Sequence, residues 1–346
     1  MDGLQKSLRL TTPQGFIFIL LSLGILSMLA FGDRSIGVLD QDNYIEYFKS
    51  TNWDWLVHEY ENSGTRAFLI SLITEEFGWR MYVILVNLTG VTPEEGVRFT
   101  VLLANVLVIL SVSNLRRPVI GLLLWIIIPY GLATVGLFQI RQGLAFGIAM
   151  LFMTRWHRPT LGALLASTIH TTFAVPALLF ASARLFWRRR WLALVGTCTV
   201  AVVLAFSASY LFAHFGGRRL ETYAGYQDDF TVKLAGLLLI YMVIAVLALW
   251  ENWRWQDGWL NTLTALAIVD IALVVYLMTS YVVFPFGKGR VWYCVPLFLV
   301  FLLPEFRSRN PLKWWLASGV ALVLLADTLK NYSEGVFSYF LPSAFI

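Results

Sequence analysis

The chain has 346 residues, of which 58% are hydrophobic and only 14% are charged. Soluble globular proteins are typically about 45–50% apolar and about 25% charged, so these proportions exclude an ordinary soluble domain and indicate a multi-span membrane protein. The net charge of +5 does not indicate a nucleic-acid partner, because the basic residues stand in short clusters between apolar runs, where they are typical of membrane-topology signals.

Apolar runs of membrane-spanning length recur along the whole sequence. A span needs about 20 apolar residues, with a range of about 17–25. The candidate runs are 14–31, 97–114, 118–137, 141–155, 191–213, 232–250, 259–285, 291–304 and 313–329. Several of them are short, which predicts tilts, kinks or half-helices. We therefore predict one all-α polytopic membrane domain over residues 1–346, with about 10–11 membrane helices.

Clusters of basic residues predict which ends of these helices face the cytoplasm, by the positive-inside rule. The clusters are Lys6 with Arg9, Arg116 with Arg117, Arg155 with Arg158, Arg184 with Arg188, Arg189 and Arg190, and Arg307 with Arg309 and Lys313. The loops 32–96 and 214–231, which carry most of the acidic residues, then face the outside.

The stretch 159–186 does not fit a simple crossing. Basic residues flank it on both sides, so both of its ends are expected at the cytoplasmic face. One crossing would put its ends on opposite sides, and two full crossings would need about 40 residues. We predict a broken or re-entrant pair of short helices with His170 at the apex. Arg141, at the outer end of the preceding span, then lies at the same face as His170.

Residues 65–96 contain apolar pieces that are each too short to span, interrupted by charged residues and the turn "TPEEG". We predict helices that lie on the outer membrane surface in this segment. Four aromatic residues in and before it fit the aromatic belt of a membrane interface: Trp53, Trp55, Trp79 and Tyr82.

Several signatures of enzyme chemistry are missing from the sequence. There is no phosphate-binding P-loop, no H-E-x-x-H, no pair of His and Cys at zinc spacing and no G-x-S-x-G. We expect no cofactor and no metal. Cys198 and Cys294 lie in apolar runs, so no disulfide is expected. Gly143 and Gly147 form a G-x-x-x-G, which more often marks close helix packing than chemistry.

Polar and basic side chains are predicted to collect on the outer face. They are Arg141, Gln142, His170, Arg218, Arg219, Tyr223, Lys288 and Arg290. Several cations beside lipid suit a lipid-linked phosphate or pyrophosphate, because the planar guanidinium grips phosphate oxygens bidentately.

Each of these residues also has a structural interpretation. The cations at 218–219 and 288–290 suit interfacial side chains whose charged ends reach water, and His170 suits a hydrogen-bonded core histidine. Arg141 is harder to explain, since an Arg at a helix centre raises the free energy of insertion by about 2.5–3.5 kcal/mol. A structural ion pair is the main alternative to a functional role for Arg141. Asp270, inside a long apolar run, suits either a proton or ion site or the partner of a buried cation, and we expect the partner.

The stretch "IRQGLAFGIAMLFMTRWHRPTLGALLASTIHTTFAVPALLF" resembles the signature region of the EpsG family, the Wzy-type polysaccharide polymerases. The shared pattern is an Arg-Gln followed by a small-residue helix, a cytoplasmic basic turn, and a helix that ends in a His. This similarity covers residues 137–180.

Weaker similarities to the same family lie outside this stretch. In the first outer loop, Asp42 and Tyr44 resemble the family's Asp-x-x-Tyr-like element, with altered spacing. The sequence "TEEFGW", with Glu76 and Gly78, resembles a Glu-x-Gly-aromatic step in which Phe77 replaces the usual proline. Later basic-aromatic pairs also have counterparts here: Arg219 with Tyr223, and Arg290 with Tyr293.

The resemblance implies polymerisation of an O-antigen, capsule or exopolysaccharide by a multi-pass protein of the bacterial inner membrane, with its active site toward the periplasm or outside. The repeat units are carried on undecaprenyl pyrophosphate, and the growing glycan moves from one lipid carrier onto the non-reducing end of a new unit. The related fold is the GT-C type of glycosyltransferase. A chain-length regulator protein is the expected protein partner.

Residues and resemblance agree on a metal-independent, inverting glycosyl transfer. Arginines stabilise the departing pyrophosphate, and His170 is the candidate base for the acceptor hydroxyl, with Glu76 or Asp42 as alternatives. An O-antigen ligase and a glycosyltransferase that uses a monophosphate-linked sugar are the nearest alternative functions. A transporter of lipid-linked oligosaccharide is an alternative of another class, which predicts two pseudo-symmetric halves.

Overall fold

The computed structural model describes residues 12–31, 41–58, 60–62, 65, 76–128, 130–215, 231–253, 258–283, 291–306, 315 and 318–326. All regular secondary structure within these ranges is helical, which confirms the all-α prediction. Five of the predicted substrate-binding residues lie outside the described residues: Arg218, Arg219, Tyr223, Lys288 and Arg290.

The α-helices are α1 Pro13–Phe31, α2 Gln41–Ser50, α3 Phe77–Asn87, α4 Pro93–Ser113, α5 Pro118–Ile127, α6 Ile140–Trp156, α7 Pro159–Ile169, α8 Ala174–Leu185, α9 Arg190–Phe215, α10 Val232–Asn252, α11 Gly258–Val283 and α12 Cys294–Leu302. A π-helix, Tyr130–Phe138, follows α5, and short 3₁₀ turns lie at Thr171–Phe173 and Leu303–Glu305.

Five of the described helices (α1, α4, α9, α10 and α11) are long and apolar enough to cross a membrane. Taken together, α5 and the π-helix, which meet at an angle of 71°, have the length and composition of a sixth, broken span. The remaining apolar helices are shorter, so the expected total of about 10–11 is reached only by counting half-length helices with the full spans. The chain is therefore a polytopic membrane protein with bent and broken elements.

Prolines set the starts of several helices. Proline is the first residue of α4, α5 and α7, where its fixed φ is helical and the missing N–H has no helical partner to lose. At α4 the start is reinforced by a capping box in which Thr92 and Glu95 each accept a backbone N–H from the other. The basic turns Arg116–Arg117 and Arg155–Arg158 directly precede two of these starts, so the helix-starting prolines lie next to the topology-determining charges.

The centre of the bundle is the contact between α4 and α6. A Cβ on Gly147 would lie 2.8 Å from Leu107 Cβ and 3.0 Å from the Ala104 carbonyl oxygen, and one on Gly143 would lie 2.2 Å from the Val135 carbonyl oxygen. Neither position leaves room for a side chain. The G-x-x-x-G therefore marks close packing, as predicted, and it brings the start of α6 against the π-helix.

A buried asparagine holds the bend between α5 and the π-helix. Asn105, on α4, donates from Nδ2 to the carbonyl oxygens of Val101 and Gly136, at 2.9 and 2.8 Å. Its Oδ1 accepts the indole N–H of Trp125 at 3.1 Å. Irregular backbone at membrane depth is tolerated where protein groups satisfy it. The bent crossing leads directly into Arg141, so this bend positions the start of α6.

The basic clusters that the structure describes meet at one end of the bundle. Arg117 donates to the carbonyl oxygens of Pro304 and Phe306, and the position of Gly258 lies against His157. Arg190 donates to the Asn252 carbonyl oxygen at 3.1 Å. We refer to this as the basic end of the bundle. Its composition agrees with the common sidedness that the positive-inside rule predicts for these clusters.

The stretch 159–186 forms the predicted pair of short helices. The 11-residue α7 and the 12-residue α8 pack against each other, and the chain turns between them at His170 and the 3₁₀ turn Thr171–Phe173. Since His157 and Arg190 both contact the region between α10 and α11, the hairpin begins and ends at the basic end. His170 is therefore at the opposite end of the hairpin.

Two sequence-based expectations are corrected by the packing. Trp79 was expected in an interfacial belt, but it is 0% exposed, because the surface of α3 that carries it is covered by α2 and α4. Asp270 was expected to pair with a buried cation. It is fully buried on α11, and within the described ranges neither of its carboxylate oxygens has a hydrogen-bond partner.

Candidate active site

A buried carboxylate joins two segments that the sequence separates by 65 residues. Arg141, in the first turn of α6, donates from Nη1 to Glu76 Oε2 at 2.6 Å. The Glu76 side chain is 2% exposed and that of Arg141 is 16% exposed. A charge-assisted contact of this length away from water is stronger than a surface ion pair. It ties the start of α3 to the start of α6.

The second carboxylate oxygen of Glu76 binds the apex of the hairpin. Glu76 Oε1 accepts the backbone N–H of Thr171 at 3.0 Å and the Thr171 hydroxyl at 3.2 Å. His170 Nδ1 lies 3.7 Å from the same oxygen. Glu76 thus contacts Arg141 through one oxygen and the hairpin apex through the other. We call Glu76, Arg141, His170 and Thr171 the carboxylate cluster.

Local backbone geometry explains why Glu76 can reach both partners. Glu76 immediately precedes α3 and has φ 60° and ψ 60°, a left-handed conformation. Such a conformation is unfavourable by about 1–2 kcal/mol for a residue with a Cβ, so the surrounding contacts must hold it. Two residues on, Gly78 approaches α7 closely: a Cβ there would lie 2.3 Å from Thr168 Oγ1 and 3.0 Å from the Thr168 carbonyl carbon.

Replacing Gly78 with alanine should destabilise the protein by about 1–3 kcal/mol, because the new methyl group forces α3 away from α7. The same displacement should pull Glu76 from the hairpin apex and lower activity. Gly236→Ala is the matched control, since no atom lies within 4 Å of a Cβ at that helical position, and alanine favours a helix by up to about 1 kcal/mol. Thermal unfolding in detergent checks both variants. Equal unfolding temperatures for the two would contradict the close contact.

Aromatic rings cover the guanidinium of Arg141 from the side of α2. Its Cζ lies 5.6 Å from the ring centre of Tyr44 and 5.0 Å from that of Tyr47, and it also hydrogen-bonds the Tyr44 side chain. Arg80 also lies over the Tyr47 ring, with its Cζ 4.7 Å from the ring centre. Cation–π contacts of this kind hold the plane of a guanidinium at little conformational cost.

Arg141 keeps hydrogen-bonding capacity beyond the ion pair. The guanidinium has five N–H donors, and its Nε has no hydrogen-bond partner among the residues that the structure describes. The group is fixed by Glu76 and the tyrosines and is still partly exposed. The guanidinium is therefore held in one place while part of the side chain remains accessible.

The hydrogen bonds of His170 define which ring nitrogen carries the proton. Nδ1 accepts the backbone N–H of Thr172 at 3.2 Å. An accepting nitrogen has no hydrogen of its own, so the neutral ring carries its hydrogen on Nε2. A base acting through Nε2 would need a lone pair there. This arrangement therefore favours Nε2–H as a donor over the base role expected from the sequence.

The rings behind the cluster form a buried apolar support. Trp79 lies edge-on to Tyr44 and Phe48, with ring centres 6.2 and 6.0 Å apart, and it stacks on Tyr82 at 5.5 Å. Burial raises the pKa of Tyr82 to about 12, so its hydroxyl, hydrogen-bonded to Thr100, stays neutral. This water-poor support strengthens the electrostatic contacts beside it.

The remaining described candidates differ in position. Gln142 is fully buried beside Arg141, and Tyr44 contacts the guanidinium. Asp42 is exposed at the start of α2. The structure thus brings together Glu76, Arg141, His170 and Tyr44.

Three contributing residues were not among the predicted site residues. These residues are Thr171, Arg80 and Tyr47. Arg80 donates a hydrogen bond to the Thr51 hydroxyl at 2.8 Å. Tyr47 lies four residues before Thr51, and the sequence did not single it out. The sequence feature that could have indicated Tyr47 is its position one helical turn after Tyr44 on a polar helix. Within the described ranges no group of three or more His, Cys, Asp and Glu side chains is arranged to hold a metal ion.

Comparison with known proteins places the chain in a family. It matches the EpsG family over residues 16–342, nearly its whole length, and it belongs to that family, which comprises Wzy-type, exopolysaccharide polymerase-like membrane proteins. No curated protein and no solved structure matches the chain. The expected likeness to GT-C glycosyltransferases therefore stays a prediction.

Proposed function

We propose that this member of the EpsG family polymerises oligosaccharide repeat units carried on undecaprenyl pyrophosphate, by inverting glycosyl transfer. The observation that carries the proposal is the carboxylate cluster. It holds a partly exposed guanidinium and an imidazole at the end of the hairpin that lies away from the basic end. With the basic end in the cytoplasm of a bacterium, the reaction takes place on the periplasmic or outer face of the inner membrane.

Arg141 is assigned to the donor substrate. Its leaving group is a lipid pyrophosphate, which needs charge stabilisation more than protonation. A guanidinium held in place before the reaction stabilises the negative charge that develops on the departing diphosphate without reorganising in the transition state. The partly exposed edge of Arg141 supplies donors for this contact, while Glu76 and the two tyrosines fix its plane. The chemistry asks for no metal ion at the diphosphate.

Glu76 is assigned a positioning role. Its oxygens already accept hydrogen bonds from Arg141 and Thr171, so its lone pairs are engaged by these partners. It sets the distance between the guanidinium and the hairpin apex. His170 is assigned a direct contact with the substrate. It donates a hydrogen bond from Nε2 to an oxygen of the transferred glycan or of the diphosphate. The acceptor hydroxyl attacks the anomeric carbon from the face opposite the diphosphate, which forms the new glycosidic bond, breaks the bond between the anomeric carbon and the diphosphate oxygen and inverts the anomeric centre. The hydroxyl proton leaves to water, and the diphosphate leaves as the anion that Arg141 stabilises.

The other predicted residues complete the substrate path. Arg218, Arg219 and Tyr223, with Lys288 and Arg290, are proposed to bind the glycan or the diphosphate. Asp42 is proposed to contact the acceptor glycan at the exposed start of α2, next to Tyr44. A chain-length regulator is the proposed protein partner. O-antigen, capsule and exopolysaccharide are all products consistent with this chemistry.

The alternatives differ in what accepts the glycan. An O-antigen ligase uses the same lipid-pyrophosphate donor and transfers to a lipopolysaccharide core, and another lipid-linked-sugar glycosyltransferase adds a single sugar. A transporter of lipid-linked oligosaccharide makes no covalent product. A guanidinium with open donors beside a fixed imidazole favours bond-making chemistry over transport, because transport needs no group at the anomeric carbon.

Purified protein incubated with one lipid-linked repeat unit, in the presence of a chelator, should give a ladder of products that differ by one repeat unit. Arg141→Ala protein at equal concentration is the control for contaminating activity. The ladder would be resolved by electrophoresis or mass spectrometry. A product formed only when a lipopolysaccharide core is added would identify a ligase, and the absence of any covalent product with active reference enzymes present would contradict the proposal.

A further inference from the structure

A second polar site lies at the basic end of the bundle, away from the carboxylate cluster. It is a cavity of about 670 Å³, within the range of about 300–1,000 Å³ that is usual for ligand clefts. Its lining consists of three arginines, three tryptophans and one asparagine: Arg188, Arg189, Arg190, Trp187, Trp191, Trp253 and Asn261. These residues come from the exit of the hairpin, the start of α9, the end of α10 and the first turn of α11.

One of the three arginines is fixed and two are available. Arg190 donates to the Asn252 carbonyl oxygen at 3.1 Å and to Asn261 Oδ1 at 3.2 Å, and its Cζ lies 5.8 Å from the ring centre of Trp187. Arg188 and Arg189 are exposed, and neither forms an ion pair with an acidic side chain in the part of the chain described here. The cavity therefore concentrates positive charge, and at Arg188 and Arg189 no acidic side chain among the described residues pairs with it.

The surroundings indicate a ligand with both a charged and an apolar part. α9, which starts at Arg190, is one of the long apolar helices, and only 22% of its most apolar window is buried inside the protein. Trp191 is 53% exposed. Tryptophan rings with an apolar body and a polar N–H favour the level of lipid headgroups. The arginines thus lie where the hydrocarbon region ends and the headgroup region begins.

We propose that this cavity binds the phosphate headgroup of an anionic phospholipid, whose acyl chains lie along the exposed apolar surface of α9. Clustered arginines beside a membrane helix attract anionic headgroups by about 1 kcal/mol each, and the guanidinium fork pairs with phosphate oxygens. The site lies between the exit of the hairpin and the first turn of α11. A bound lipid therefore stabilises the end of the hairpin that lies at the basic end of the bundle. The inference is independent of the glycosyl transfer proposed above.

The test measures unfolding temperature in a neutral detergent while phosphatidylglycerol, phosphatidylcholine or inorganic phosphate is added to the delipidated protein. A ligand that binds only the folded state raises the unfolding temperature. Phosphatidylglycerol should raise it in the wild type, and phosphatidylcholine should not. The double variant Arg188→Gln with Arg189→Gln should need about tenfold more phosphatidylglycerol, or more, for the same increase. Arg190 is kept in this variant because it holds the fold.

The matched control is Arg155→Gln with Arg158→Gln, which removes two exposed arginines from the same end of the bundle, outside the cavity lining. It should respond to phosphatidylglycerol as the wild type does. Equal loss of response in both double variants would mean attraction to general surface charge, and no loss in either would mean that the cavity binds no headgroup. An equal increase with inorganic phosphate alone would identify a free-anion site and overturn the lipid proposal.

Discussion

Replacing Arg141 with lysine should lower the rate of chain growth by about 10²–10³-fold while the protein stays folded. Lysine keeps a positive charge that can pair with Glu76, so the buried carboxylate is not left alone. It lacks the planar fork, and a point charge cannot hold two phosphate oxygens in fixed geometry. The measurements are the rate of product formation from a lipid-linked repeat unit and the unfolding temperature of the same preparation.

Arg80→Lys is the control for this experiment. Arg80 is also a partly buried arginine on the Tyr47 ring, and its side chain contacts Thr51 and Trp55. Its replacement should leave most of the activity. Removing the charge altogether, in Arg141→Ala, should destabilise the protein by about 3–5 kcal/mol, because a buried carboxylate loses its partner. Wild-type chain growth in Arg141→Lys would reduce Arg141 to a structural ion pair.

Replacing His170 with alanine should slow chain growth by about 10²–10³-fold, as expected for the loss of a donor that acts in the transition state. Two further variants separate the functions of the two ring nitrogens. The amide of asparagine reaches the position of Nδ1, so His170→Asn keeps an acceptor for the Thr172 N–H, as in an Asx turn. The amide of glutamine reaches further, so His170→Gln keeps an N–H near the position of Nε2.

The three His170 variants have distinct expected activities. His170→Asn should fold like the wild type and remain as slow as His170→Ala, whereas His170→Gln should recover part of the rate. Full activity in His170→Asn would mean that the residue only caps the 3₁₀ turn. Equal inactivity of all three variants, each with wild-type unfolding temperature, would restore the base role and require the ring hydrogen to move to Nδ1, toward Glu76.

The sequence alone determined the broad architecture. Apolar runs predicted the helices that cross the membrane, since partition between lipid and water depends on the composition of each segment. The flanking basic residues and the length of 159–186 predicted the hairpin with His170 at its turn. Arg141 was singled out because a guanidinium in an apolar run is unfavourable unless something holds it. These inferences use local composition and length, which need no knowledge of neighbouring helices.

Only the tertiary structure decided which side chains pair. The partner of Arg141 is Glu76, 65 residues earlier, and the same carboxylate binds Thr171, 95 residues later in the chain than Glu76. Asp270, which was expected to pair with a buried cation, lies on α11 and is not the partner of Arg141. Trp79 resembles an interfacial residue in the sequence, but in the structure α2 covers it. Pairing and burial depend on how distant segments pack around one another, and an amino-acid pattern records the chemistry of each segment without recording which surfaces meet.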